Sequence, residues 1–512
     1  TSTVNKRGYG FLPGNGNTSS ESGYASYGSA LSSSDIGQCA FDADTGKIYW
    51  GKNNTWFNSG NPETGANPAF SGIDMTKEYL FTWHVYGNNN NVSVNFGSQG
   101  FTYTPPAGFK ALCQQNLPLT QSPSVVTKPQ KHFDTLIWDG NSTQDRNITG
   151  LEFKPDFVWI KSRSHSTYGG GLSYHHLIWD VVRGVGSNTI GASSRKELTV
   201  NENYQEGRGA NYTDYYGHVS SFNEDGFQLD HVTGEPPFYV NQTSREYVAW
   251  CWKAGGNSNT YNIDGKGYTT AAAAGLDGGT IDPTGASINT ENGFSIITYT
   301  ANGTNGATIA HGLGKKPAWI IIKCRSNDDN WMVHHHKMDD DDPEDYVLYL
   351  HTSGTRTNTP NMLNDTAPTD TLITLNDDGA VNSGSRTYVM YCWAEIPGYS
   401  KFGKYTGNGS STGQFVNLGF RPAFIMIKNI TTATSWVIYD NKRSILNVVD
   451  AVLYPSGTGA EATGSNEVDF VANGFNHQSA DNKVNSGNKK YVYMAFAEQP
   501  GVTSFDTRPN AR

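Results

Sequence analysis

Leu151-Glu-Phe-Lys-Pro155-Asp-Phe157-Val-Trp159-Ile-Lys161 decides the fold, because the same run occurs twice more in the chain. The second copy is Leu313-Gly-Lys-Lys-Pro317-Ala-Trp319-Ile-Ile321-Ile-Lys323, and the third is Leu418-Gly-Phe-Arg-Pro422-Ala-Phe424-Ile-Met426-Ile-Lys428. Pro and Lys keep one offset throughout. After Pro each run is apolar on both alternating faces, as in a central strand covered on both sides. Pro stands at the start of the strand, where no ladder donor is needed.

Working outward, His176-Leu-Ile-Trp179-Asp180 corresponds to Trp331-Met-Val-His334-His335 and Trp436-Val-Ile-Tyr439-Asp440. Turn signals follow at Asp225-Gly226, Asp378-Gly379 and Asn473-Gly474. Each copy closes on an aromatic strand: Tyr247-Val-Ala-Trp250-Cys-Trp252, Tyr388-Val-Met-Tyr391-Cys-Trp393 and Tyr491-Val-Tyr-Met494-Ala-Phe496. The period of about a hundred residues is too long for a solenoid and suits sandwich domains. The copies differ mainly in loop length, where binding function varies on a fixed scaffold.

Composition agrees. Charged residues are only 16% and aromatics 12%, with 57 Gly, a balance that favours strands and turns over helices. The expected fold is all-β, a string of β-sandwich domains of jelly-roll or concanavalin-like type, three of them internal repeats. The boundaries read as a β-sandwich over 1–116, a Pro-rich linker over 117–131, repeat 1 over 132–254, repeat 2 over 293–400 and repeat 3 over 401–512. Residues 255–292, rich in Gly and Ala, carry enough apolar side chains (Tyr261, Ile263, Tyr268, Ile281) to predict an arm docked on a neighbour rather than a free linker.

A net charge of −10 argues against a nucleic-acid binder, and no apolar run is long enough to insert in a membrane. The chain opens at Thr1 without Met or a secretory signal, so an upstream segment is expected. Five cysteines, odd in number and far apart, read as small buried hydrophobes rather than a disulfide framework. Eleven Asn-x-Ser/Thr triplets, among them those at Asn141, Asn241 and Asn408, read as chance in an Asn-rich chain.

The N-terminal region has its own pattern. Ile36-Gly-Gln-Cys-Ala-Phe-Asp42-Ala-Asp44-Thr-Gly46-Lys-Ile-Tyr-Trp50 is strand, tight turn and strand; Trp56, Asn95-Phe96-Gly97 and Pro105-Pro106 follow. This combination resembles the SPRY family, a concanavalin-like sandwich used for binding. The resemblance begins near Tyr9, so the family's opening strands are missing. An upstream segment or a strand donated by a partner is expected to complete the sheet. The repeated module over Phe133–Val502 resembles domains of unknown function in structural proteins of marine tailed phages. That resemblance implies a virion location, partnership with other virion proteins, and a homo-oligomer, with the trimer as the common state of phage fibres.

Candidate sites are few. His334 and His336 alternate on a strand with Asp339 close behind, a metal-like set. The repeat offers a plainer account, since these positions match Trp179/Tyr439 and their neighbours. Asp42-x-Asp44-x-Gly46 lacks the distal Glu of a calcium loop. HExxH does not occur, and no motif calls for a cofactor, so the expectation is a protein that is not an enzyme. Tyr168, Tyr174, Tyr204, Tyr212, Tyr215 and Tyr216 lie among Asn, Ser and Gly in repeat 1, a composition suited to glycan contact or to subunit contact. The reading is a phage virion protein of tail-fibre or adhesin type contacting host surface glycans. Its rivals are a capsid decoration or head fibre and a glycan depolymerase.

Overall fold

The computed structural model describes residues 8–20, 22–74, 81, 92–96, 101–111, 128–165, 167–168, 172–187, 196–207, 216–411, 413–464 and 468–498. Among them the chain is all-β, with short 3-10 turns and no α-helix. It divides into two compact units, Thr1–Ser122 and Pro123–Arg512.

In the first unit Gly10–Leu12, Asn17–Ser20 and Gly23–Ser26 form one antiparallel sheet, and Gly37–Asp42, Lys47–Lys52 and Thr55–Trp56 form another. The Asp42–Gly46 turn explains its own sequence. One Asp42 carboxylate oxygen accepts from the Asp44 and Thr45 amides, and Gly46 takes the left-handed φ of 62° that a side chain would resist.

The second unit is a string of three β-sandwich repeats. Each has an opening strand (Phe133–Asp139, Phe294–Thr300, Ser400–Thr406), a central strand (Phe157–Ser162, Trp319–Cys324, Pro422–Asn429), an outer strand (Leu177–Asp180, Trp331–His335, Val437–Asp440) and a closing strand (Glu246–Trp252, Thr387–Trp393, Lys490–Ala497). In every repeat the order across the main sheet is opening, closing, central, outer. A smaller sheet covers one face: Arg146–Thr149 with Gly226–Asp230 and His218–Asn223 in repeat 1, Ala307–Ala310 with Leu372–Leu375 in repeat 2, and Phe415–Asn417 with Gly474–His477 and Val468–Val471 in repeat 3. The stretch 255–292 docks on repeat 2. Its strand Pro283–Asn289 pairs antiparallel with the opening strand, and Tyr261–Ile263 and Lys266–Tyr268 extend the same sheet.

Alternation along the strands sends side chains to two different cores. On the closing strand of repeat 1, Tyr247, Ala249 and Cys251 face the smaller sheet, while Val248, Trp250 and Trp252 face the other way. That second face meets the other repeats. Trp159, Trp250 and Trp252 share one cluster with Trp319, Trp331, Tyr391 and Trp393 of repeat 2 and with Phe424, Trp436, Met494 and Phe496 of repeat 3. At its centre Trp252 lies 6.2 Å from Trp393 and 5.5 Å from Phe496, ring centroid to ring centroid. A Trp buried in this way removes enough apolar area to contribute on the order of 5 kcal/mol before entropy is counted.

Register gives the unit a polarity. Phe133 pairs with Trp252, Phe294 with Trp393 and Ser400 with Phe496, so the start of the unit, both junctions between repeats and its end lie at the same end of these strands. The opposite end is braced three times over. Tyr247, Tyr388 and Tyr491 each donate to a backbone carbonyl (Phe238, Gly379, Asn482) and stack on Trp138, Tyr299 and Tyr405. Beside them Asn241, Asn382 and Asn485 donate to the side-chain oxygens of Asn141, Asn302 and Asn408. The Asn-x-Ser/Thr triplets at 141, 302 and 408 are therefore turn chemistry, each Asn oxygen also accepting the amide two residues on.

Candidate functional site

The conserved Lys at the end of each central strand marks the seams between repeats. Lys161 Nζ donates to Thr458 O of repeat 3, Lys323 Nζ to Asn203 O of repeat 1, and Lys428 Nζ to Ser353 O of repeat 2. Repeat 1 thus grips repeat 3, repeat 3 grips repeat 2, and repeat 2 grips repeat 1. The contact is head-to-tail and it closes, as in a cyclic trimer written into one chain. Burial lowers all three ammonium groups, Lys161 and Lys428 to about 7 and Lys323 to about 8.

Two seams carry the same buried ionic cluster. Between repeats 2 and 1, Tyr391 OH donates to Asp180 Oδ2 at 2.7 Å, Arg183 Nε to the same oxygen at 2.5 Å, and Arg325 grips Glu206 with two nitrogens at 2.7 and 3.1 Å. Between repeats 1 and 3, Trp250 Nε1 donates to Asp440 Oδ2 at 2.9 Å, Arg443 Nε to that oxygen at 2.5 Å, and Arg163 grips Glu461 at 3.0 and 2.8 Å. Burial works against the charge on Glu206, but Arg183, Arg325 and Lys196 outweigh it and hold its carboxyl below the usual range. The third seam has His335, Met338, Arg356, Ile430 and Met494 at the five matching positions. His335 Nε2 lies 3.4 Å from Tyr493 O, and His336 Nε2 2.8 Å from Phe402 O.

This geometry settles where the metal-like residues go. His334 points into the private core of repeat 2, at 1% exposure, and burial pushes it down to about 3. His336 faces repeat 3 instead, and Asp339 is held by Arg356 at 2.5 Å. The three do not converge. Among the described residues no group of three or more His, Cys, Asp or Glu side chains is placed to hold a metal ion.

The repeat 1 tyrosines separate as well. Tyr174 is not a surface residue: it is buried edge-on against Phe238, and Arg245 donates to its hydroxyl. Tyr216, half-buried, packs on Phe238 and Tyr239. Tyr204 is half-buried beside Asn203 and Gln205, both of which bond to repeat 2. Tyr168 lies in a two-residue strand paired with Leu172. Tyr212 and Tyr215 lie outside the described residues. Tyr174 and Tyr216 with Phe238 and Tyr239 form a cluster at the braced end of repeat 1, and His165 and His175 adjoin it.

Sequence reasoning did not single out Asp180, Arg183, Glu206, Trp250, Asp440, Arg443 or Glu461 as a set. The available signal was the invariant Lys and the Asp180/Asp440 match, but seam partners come from loops of unlike length. A family described as a domain of unknown function (DUF7483) matches residues 128–500, and the chain belongs to that family. The match spans all three repeats together, as the single compact unit does. No curated protein matches the chain.

Proposed function

We propose that this DUF7483 member is a bacteriophage virion structural protein of tail-fibre or adhesin type, not an enzyme, whose loops contact host surface glycans. The observation that supports it is the polarity of the three-repeat unit. Both of its ends and both inter-repeat junctions gather at one end of the main strands, away from the braced turns. The braced end carries the three turns and, in repeat 1, the aromatic cluster around Tyr174, Tyr216 and Phe238. Rigid turns suit weak, repeated sugar contacts, which gain through copy number rather than single-site strength. Because the head-to-tail surface is already used within the chain, further copies, other virion proteins or a completing strand for the SPRY-like unit would attach elsewhere.

The test is cryo-EM of the intact particle that carries this chain. The adhesin reading expects projection from the tail with the 141–145 turn and the Tyr174 and Tyr216 cluster at a tip. Finding them buried between subunits on a capsid would replace it with a decoration or head-fibre role. Glycan-array binding that disappears in Tyr216→Ala, with an unchanged melting curve, would add the ligand class.

A further inference from the structure

Repeat 2 shows what the opening strand can accept. There Pro283–Asn289 lies antiparallel along it, with Ala286 opposite Ile297 and Ser287 opposite Ile296, and the Thr284 hydroxyl reaches Thr298 at 3.1 Å. Thr298 is only 4% exposed as a result. Repeat 1 has the same edge. Among the described residues Phe133–Asp139 pairs on one side only, with the closing strand. Ile137, the counterpart of Thr298, stands 44% exposed.

The rim beside that edge is also apolar. In repeat 3 the counterpart of Ile137 is Lys404, which pairs with Asp340 of repeat 2, as does Lys490. Charges of that kind protect an open edge. At the positions matching Asp340 and Asp341, repeat 3 has Ile445 and Leu446, 75% and 78% exposed. Their loop is fixed rather than loose. Lys442 reaches Asp134 on the repeat 1 edge, Ser444 accepts the Ala451 amide, and Asn447 both donates to and accepts from the Phe470 backbone.

We propose that the outer edge of Phe133–Asp139 is a docking site for an extended strand of a separate polypeptide, added antiparallel in the register that repeat 2 displays. The internal strand defines the partner's chemistry. Its centre is uncharged, built of small and β-branched residues, and backbone hydrogen bonds supply affinity while Ile137, Ile445 and Leu446 receive alternate side chains. Flat apolar edges left open are hazards, and of the two opening strands that no internal strand covers among the described residues, repeat 3 sets a Lys at the centre of its edge where repeat 1 sets Ile137, which marks the repeat 1 edge as one kept for use.

The probe is a synthetic peptide of Ile281–Thr290, added at millimolar concentration to the full chain and followed by hydrogen–deuterium exchange. Exchange of the 133–139 amides should slow severalfold, and Ile137→Lys, which restores the charge of repeat 3, should abolish the effect. Tyr247 and Asn241 amides serve as the control that the variant is folded. Unchanged exchange at 133–139 overturns the proposal, and so does equal protection by a scrambled peptide. Protection that rises with protein concentration in the absence of peptide also overturns it, because the edge then pairs with a second copy.

Discussion

The seam between repeats 2 and 1 and the seam between repeats 3 and 2 occupy equivalent places in the ring, yet one carries a buried ionic cluster and the other does not. Asp180, Arg183, Glu206, Arg325 and Tyr391 give way to His335, Met338, Arg356, Ile430 and Met494. Every member has changed. A buried charge that loses one partner leaves the remaining ones desolvated and unpaired, so such a cluster is tolerated whole or absent whole. What all three seams retain is the aromatic core and the lysine clamp. The ions therefore set register where they occur, while apolar burial holds the ring closed.

The sharpest way to break this comparison is to remove one acceptor. Asp440→Ala strands Arg443 and the Trp250 N–H and should destabilise the chain by about 3–5 kcal/mol in guanidinium unfolding. His335→Ala at the third seam should cost less than half as much. Converting one ionic seam as a set, with Asp180→His, Arg183→Met, Glu206→Gln, Arg325→Ile and Tyr391→Met together, should cost less than Asp180→Ala alone. Simple addition of the five single effects would show that the cluster is no unit.

Acid should separate the seams next. Burial lowers His335 well below its ordinary value, with His336 and His334 adding repulsion. A histidine whose folded pKa lies below its unfolded one binds fewer protons when folded, so its contribution is present above about pH 6.5 and is lost as pH falls toward the folded value. Between pH 6.5 and pH 5 that loss is about 2 kcal/mol per such group. His335→Gln should recover about that much at pH 5 while changing little at pH 8, measured by thermal melts across pH. Equal acid sensitivity in the two proteins would remove His335 from the account. His334 and His477, each lowered to about 3 by burial, set the background against which the difference is read.

Much of this was legible in the residues and one level was not. The Pro-to-Lys run, apolar on both faces, called for a central strand with two covers, and Val158 and Trp159 do face different cores. The sequence cannot say that the second cover is another repeat, because Trp250 looks the same whether it meets a sheet of its own domain or a neighbour's. One of the six tyrosines misled for a related reason: a Tyr among Asn and Gly reads as surface, yet Tyr174 finds Arg245 and Phe238 and goes inside. The invariant Lys was visible as a pattern. Its role needed the carbonyls of Asn203, Ser353 and Thr458, which no spacing rule connects to it.

Because the lysine clamp is common to all seams, its removal should affect them alike. Lys323→Met and Lys428→Met should each cost about 1–3 kcal/mol, since carbonyls of neighbouring loops lose their donor. Their folded pKa values lie below the usual 10.5, so the unfolded chain binds more protons in the window above about 7 to 8, and stability should rise with pH up to about 10.5. Each substitution should flatten that rise by roughly 1 kcal/mol per pH unit, read from urea midpoints. A larger loss at the ionic seam than at the third would tie the clamp to the ions instead.

The smallest effect belongs to the rim. Asp340 with Lys404 and Lys490 spans the third seam at the surface, with Asp340 largely in solvent, while Ile445 and Ile137 hold the matching places between repeats 3 and 1. Exchanging the second set for the first, as Ile445→Asp with Ile137→Lys, should change stability by less than about 0.5 kcal/mol, because exposed pairs return little and exposed Ile contributes little to the fold. Solubility should improve instead, measured as the protein concentration at which light scattering begins to climb. That combination, a neutral stability and a changed surface, is expected only if the rim is outside the forces that close the ring. A loss of 2 kcal/mol or more would mean that the apolar rim is part of the seam, and that the ionic cluster between repeats 1 and 3 is backed by hydrophobic contact all the way to solvent.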